Sequence, residues 1–170
     1  MNLLFAFLFS VLFAPVNDYT VLADQAKIGF TIKNAGFKVN GSMKGLKGDI
    51  KFSPDDLGLC AISLSVSTAS VDTDNKTRDK HLRGEDYFEV EKYPTITFTS
   101  TSVKKSGNGY LVKGTFKVKN TTKEVEIPFT FQQNVFKGSF SINRIEYGVG
   151  KKSWIMDKTV NITFQIPVEG

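Results

Sequence analysis

Residues 106–132 read SGNGYLVKGTFKVKNTTKEVEIPFTFQ. Ser106-Gly107-Asn108-Gly109 has the composition of a tight hairpin turn, because Asn and Gly accept the positive φ that such turns require. Val112, Phe116 and Val118 then alternate with Lys113, Thr115, Lys117 and Lys119. Asn120-Thr121-Thr122 turns the chain again. Val125, Ile127, Phe129 and Phe131 follow, and their polar partners include Glu124, Glu126 and Gln132. A period of two identifies strands with one apolar and one polar face.

The same rhythm runs through the rest of the chain. Ile28, Phe30 and Ile32 oppose Lys27, Gly29, Thr31 and Lys33, and Phe37, Val39 and Met43 oppose Lys38, Asn40, Ser42 and Lys44. Leu46, Ile50 and Phe52 end at the turn-forming Ser53-Pro54-Asp55-Asp56. Ile62, Leu64 and Val66 come next, then Ile96 and Phe98, then Phe136, Phe140 and Ile142. The last strand carries Val160, Ile162, Phe164, Ile166 and Val168.

The reading is therefore all-β, with eight or nine antiparallel strands. Such a sheet hides its apolar face by stacking as a sandwich or by closing on itself. About eight strands closed into a barrel leave an interior wide enough for side chains or one small ligand. Gly41, Gly48, Gly114 and Gly138 suit barrel bends or bulges. Alternation alone does not choose between barrel and sandwich.

Composition sets outer limits. A chain of 170 residues suits one domain, and 41% hydrophobic with 23% charged residues is ordinary for a globular protein. The net charge is +5, but the lysines are scattered over alternating strands and form no run, so no nucleic-acid partner is expected. A mild attraction to an anionic lipid surface is compatible with that charge. One cysteine and one histidine are too few for a usual zinc site, and Cys60 reads as a small packed side chain. The apolar stretch Leu3–Phe13 has the length of a secretory h-region and ends at Ala14. The expected organisation is a signal peptide over 1–17 and one barrel domain over 18–170, placing the protein in the periplasm or outside the cell.

The strand pattern lapses between Ser70 and Pro94. Asp74 or Asn75 can cap a short helix, Lys76 to Arg83 can fill about two turns, and Gly84 can end it. On that helix Arg78 and Leu82 share a face and His81 is adjacent. This stretch holds RDKHL at 78–82 and DYFEVEKYPTITF at 86–98. It resembles the signature of the YceI family, bacterial lipocalin-like proteins that bind polyisoprenoid lipids, in which R-D-x-H-L leads to an acidic aromatic stretch and a Y-P-x-I-x-F strand. Ala69-Ser70-Val71-Asp72-Thr73 resembles the family's A-S-x-D-T passage. Val112-Lys113-Gly114 with Thr122-Lys123-Glu124-Val125, and the run from Phe140 to Gly148, also resemble family stretches. Many members open with an aspartate and a histidine ahead of the first strand; the matching region here, Leu22-Ala23-Asp24-Gln25-Ala26, has no histidine.

The resemblance implies an antiparallel eight-stranded lipocalin-like β-barrel with a short helical cap around residues 74–90. It further implies an isoprenoid ligand: a polyprenyl chain, prenyl quinone or prenyl phosphate that is bound noncovalently and carried or buffered. Phe30, Phe98, Phe116, Phe129, Phe131, Phe140, Ile162 and Phe164 are the expected tail-binding residues. Arg78 and His81, with Arg144 behind them, are the expected head-group contacts. Guanidinium forms two parallel hydrogen bonds to phosphate, and imidazole adds a donor that titrates near neutrality. The competing reading is an exported structural or stress-related interaction protein with a filled barrel; for the cap, the structural alternative is that Arg78, Asp79, His81 and Glu85 tie it to the barrel in a salt-bridge network. No nucleophile elbow, P-loop or dinucleotide fingerprint occurs, so neither an enzyme nor a cofactor is expected. Transient membrane contact fits the reading, and the state can be monomer or homodimer.

Overall fold

The computed structural model describes residues 16–170, and the apolar stretch Leu3–Phe13 lies outside the described residues. The described residues form ten strands and one α-helix: β1 (Asn17–Val21), β2 (Lys27–Asn34), β3 (Phe37–Met43), β4 (Lys47–Phe52), β5 (Ala61–Ser67), α1 (Lys76–Arg83), β6 (Thr95–Ser106), β7 (Gly109–Val118), β8 (Thr121–Gln132), β9 (Val135–Asn143) and β10 (Met156–Glu169). All pairings are antiparallel, in the order β1-β4-β5-β6-β7-β8-β9-β10-β2-β3.

The barrel is eight strands around, and it closes twice. Near one end the 14-residue β10 reaches β1 through Thr20↔Glu169 and Val21↔Val168. Toward the other end β10 pairs with β2 from Val160↔Ile32 to Gln165↔Lys27, and β2 pairs with β3. A bridge between Ser42 and Asp72, just beyond β5, completes that second circuit. The short β1–β4 pair and the β2–β3 hairpin thus occupy opposite ends of one sheared cylinder, which removes most free sheet edge.

The expected turns supply the local reasons. The Ser106–Gly109 hairpin carries Gly107 at φ +54°, and the β7–β8 turn places Lys119 at φ +52°. The helix begins at Asn75, whose side-chain oxygen accepts a hydrogen bond from the Arg78 amide at 3.0 Å, and ends at Gly84. Cys60 is half-buried, with its thiol near the Ser53 carbonyl, and burial pushes its pKa up. β1 is a strand that the alternation did not reveal.

Aromatic rings cluster at the end formed by the Ser106–Gly109 hairpin and the β8–β9 turn. There Phe52, wholly buried, meets the rings of Tyr110 at 5.0 Å, Phe131 at 5.1 Å, Phe136 at 5.3 Å and Phe129 at 5.8 Å. Tyr19 from β1 adds an edge-on contact to Phe131 at 5.3 Å. Edge-to-face pairs of this kind each contribute about 0.5–1.5 kcal/mol beyond burial. This aromatic plug closes the barrel at that end.

Candidate functional site

Above the plug the barrel is hollow. A cavity of about 240 Å³ runs from Phe129, Phe136 and Ile166 to Asn34, Arg78, Arg144 and Met156. A single water needs only about 10–15 Å³, so this is no packing defect. Its wall is apolar apart from Asn34, Ser65, Thr73, Arg78, Thr97, Arg144 and the hydroxyl-bearing ring of Tyr87.

The strands deliver the wall in rungs. Phe30, Ile162 and Phe140 stand opposite one another on β2, β10 and β9. The Phe140 ring meets Phe116 at 5.5 Å. Phe30, Phe140, Ile162 and Phe164 are only half-buried although they face inward, because part of their surface faces the cavity.

Three of the four glycines expected at bends or bulges explain why these rings leave room. Phe30 pairs directly with Gly41, and its ring occupies the space a Cβ at Gly41 would take. Phe164 lies over Gly138 in the same way, with Cζ 2.6 Å from an added Cβ, and Phe98 lies over Gly114 at 2.7 Å. A ring that lies flat across a side-chain-free position hugs the wall instead of pointing to the axis. Gly48 has a different cause: its φ of +138° and the Ser63 carbonyl beside it exclude a side chain.

Seven of the eight expected tail-binding residues line the cavity: Phe30, Phe98, Phe116, Phe129, Phe140, Ile162 and Phe164. Phe131 does not. It sits one rung nearer the plug, 4.4 Å from Phe136 and 5.1 Å from Phe52. Alternation gave Phe129 and Phe131 the same face, and height along the barrel separates them.

At the far end the cavity meets the helix and the segment after β9. Arg78 and Leu82, on one helix face, both line it, whereas the His81 side chain is exposed and is not among the lining residues. Arg78 donates from Nε to Thr73 Oγ1 at 2.7 Å and from Nη2 to the Thr73 carbonyl at 2.6 Å. The buried Asp79 accepts from the Thr73 amide at 3.0 Å and from its hydroxyl. Arg83 donates to the carbonyls of Ala69 at 2.8 Å and Val71 at 2.7 Å. The RDKHL run and the ASVDT passage therefore lock together through hydrogen bonds centred on Thr73, a residue that sequence reasoning did not single out. Glu85 contributes only a backbone carbonyl, to Lys119.

Arg144 is 3% exposed and lines the cavity. Its guanidinium donates to the carbonyls of Asp157 at 2.8 Å, Val149 at 2.9 Å, Lys151 at 3.1 Å and Met156 at 3.2 Å. No carboxylate lies within salt-bridge distance of it among the described residues. Burial pulls its pKa below the ordinary arginine value, against the opposing pull of Tyr87 and Asp157. Arginine keeps its proton under such burial, so the end of an apolar cavity carries a positive charge with no carboxylate in direct contact. Tyr87, Phe88, Val149 and Met156 complete this end, and nothing in their spacing announced them. Among the described residues no cluster of metal-ligating side chains occurs.

A family model described as a YceI-like domain matches residues 19–168. A UPF0312 protein of Photorhabdus laumondii is 41% identical over 102 residues, which are 59% of this chain and 53% of that protein. The chain thus spans about half the length of that relative. The crystal structure of BcnA from Burkholderia cenocepacia superposes with a TM-score of 0.83 at 27% identity, covering 89% of this chain and all of the other. A polyisoprenoid binding domain from Saccharophagus degradans, implicated in plant cell wall breakdown, gives 0.64 at 14% identity over 92% of this chain and 99% of its own, a likeness of fold.

Proposed function

Because the chain belongs to the family of YceI-like domains, we propose that its barrel binds an isoprenoid lipid noncovalently and carries or buffers it without reacting with it. The cavity carries this reading: about 240 Å³ of continuous apolar space, with positive charge confined to one end. The filled-barrel alternative calls for that space to be occupied by side chains. A prenyl tail would lie between Phe30, Phe98, Phe116, Phe140, Ile162 and Phe164, with its tip against Phe129. Each methylene moved from water to such a wall contributes about 0.8 kcal/mol, so affinity needs few polar contacts.

The head group would sit by Arg78 and Arg144. Arg78 keeps Nη1 clear of its two bonds to Thr73 and is the better placed to form a new bond. Arg144 has four of its donors on backbone carbonyls and acts through its charge. His81, exposed, is left out of this assignment. The Saccharophagus domain, whose description names polyisoprenoid binding, agrees with the ligand class. Export is part of the proposal and rests on the apolar segment Leu3–Phe13.

The test is native mass spectrometry of protein purified from the periplasm or medium of its own host, followed by lipid extraction and N-terminal sequencing. A copurifying prenyl lipid and a start near Asp18 are expected. Lipid-free protein that also fails to take up prenols and prenyl phosphates in solution overturns the binding reading, and an intact Met1 on cytoplasmic protein overturns export.

A further inference from the structure

The cavity's charged end adjoins the most apolar exposed patch among the described residues. Trp154 is fully exposed, Phe37 is 77% exposed and Ile155 is 66% exposed. They are neighbours in space: the Ala35 amide donates to the Ile155 carbonyl at 2.7 Å, and Phe37 pairs with Asn34 across the β2–β3 hairpin. The pairs Phe30↔Gly41, Ile32↔Val39 and Asn34↔Phe37 are successive rungs on the inward face of that hairpin. The last rung climbs out of the barrel, so Phe37 continues the cavity wall into solvent. A shallow cleft holding Trp154 and Ile155 shares Arg144 and Met156 with the cavity.

Lysines surround this patch. Lys33 and Lys38 stand directly opposite each other on the hairpin, and Lys152 and Lys158 flank Trp154 and Ile155 in the cleft. All four are exposed, and none is within salt-bridge distance of a carboxylate among the described residues. Like charges directly opposite across a hairpin are destabilising, so folding does not account for the Lys33–Lys38 pair. Asp157 is the acidic member of the cleft, and its carboxylate accepts from the Thr159 amide. Aromatic rings amid lysines have the chemistry that settles at the interface of an anionic bilayer: the rings enter the headgroup layer and the ammonium groups meet lipid phosphates.

We infer that the β2–β3 hairpin and the segment 152–155 form a docking face for an anionic bilayer, which sets the cavity's charged end against the membrane from which a lipid is taken or to which it is delivered. The transfer role rests on the lipid-binding reading above; the docking itself does not.

Trp154 is the chain's single tryptophan and reports directly. Vesicles of phosphatidylcholine mixed with phosphatidylglycerol should blue-shift its emission, shield it from aqueous quencher and cosediment with the protein. Molar salt should reverse this, since it shortens electrostatic range to about 3 Å. Lys33→Glu with Lys38→Glu should weaken vesicle binding by at least roughly fivefold per position. Phe37→Ser should weaken it on charged and uncharged vesicles alike. Both variants alter exposed side chains, so the unfolding transition should stay in place and serves as the folding control.

Emission that ignores anionic vesicles overturns the inference. So does a shift that is equal on pure phosphatidylcholine and insensitive to the lysine reversal. A shift that grows with protein concentration in the absence of vesicles also overturns it, assigning the face to a second copy of the chain. Uptake of a prenol from solution, run in parallel, keeps the readings apart. Vesicle binding without uptake sinks the pore reading and leaves the docking face; uptake without vesicle binding does the reverse.

Discussion

The two ends of this barrel are lined by the same kind of residue and have different interiors. At the closed end Phe52, Tyr110, Phe129, Phe131 and Phe136 meet ring on ring, and Phe129 and Phe136 form the floor of the cavity. Toward the helix Phe30, Phe98 and Phe164 lie against the wall over Gly41, Gly114 and Gly138, and a cavity results. These three wall phenylalanines find their room over a glycine. A glycine on the neighbouring strand is not enough by itself: Phe129 is also paired with Gly138, whose side-chain space Phe164 already holds.

The largest effect that can break this contrast is truncation. Phe52→Ala removes a ring with no exposed surface and should cost about 3–5 kcal/mol, read by urea unfolding. Phe140→Ala, whose ring already faces free volume, should cost less than half as much. Equal losses would mean that the helix end is packed like the plug and that the cavity is not open in solution.

Overpacking gives the next largest effect. Phe129→Trp enlarges a ring stacked on Tyr110 at 5.3 Å and should destabilise the lipid-free protein by about 1–3 kcal/mol. Phe164→Trp should leave lipid-free stability nearly unchanged and weaken prenol uptake, because the added volume enters the cavity. Gly41→Ala sharpens the point without touching the ring itself. The three atoms nearest its methyl all belong to the Phe30 ring, so the ring must swing toward the axis. Uptake should fall by roughly tenfold, within the range an intrusion of about 1–3 kcal/mol allows. Unchanged uptake in both variants would assign the prenyl site elsewhere.

The same contrast marks where sequence reading reached and where it stopped. Period two placed nine of the strand segments, and the helix was legible to its caps at Asn75 and Gly84. β1 was not, since Asn17–Val21 is short and abuts an apolar segment of different pattern. Inward-facing positions were legible as a class. Their division into plug and wall was not, because it depends on register: Phe30 opposite Gly41 and Phe164 opposite Gly138 are 11 and 26 residues apart in the chain. The same holds for Thr73, which joins Arg78 to Asp79 only once the helix has folded back over it. The separation of His81 from Arg78 was not legible either: three apart on a helix they are neighbours, and only the docked helix leaves Arg78 lining the cavity and His81 exposed.

The smallest effects test that separation. Arg78 is held by Thr73 through Nε and Nη2, so its fork is already oriented with Nη1 left over. If that nitrogen meets a lipid phosphate, Arg78→Lys should weaken prenyl phosphates more than the matching prenols, because lysine keeps the charge and loses the oriented planar donor. A charge-assisted hydrogen bond contributes about 1.5–3 kcal/mol, so a difference of roughly tenfold between the two ligands is expected. If Arg78 only fastens the cap, both ligands should weaken together and the lipid-free protein should unfold earlier, because Thr73 loses two of its hydrogen bonds. His81→Gln, outside the cavity on the same helix, is the matched control and should change neither ligand by more than about twofold, as surface substitutions usually stay within ~0.5 kcal/mol. A selective loss of phosphate affinity in the His81 variant, with Arg78→Lys neutral, would move the head group out of the cavity and onto the exposed side of the helix.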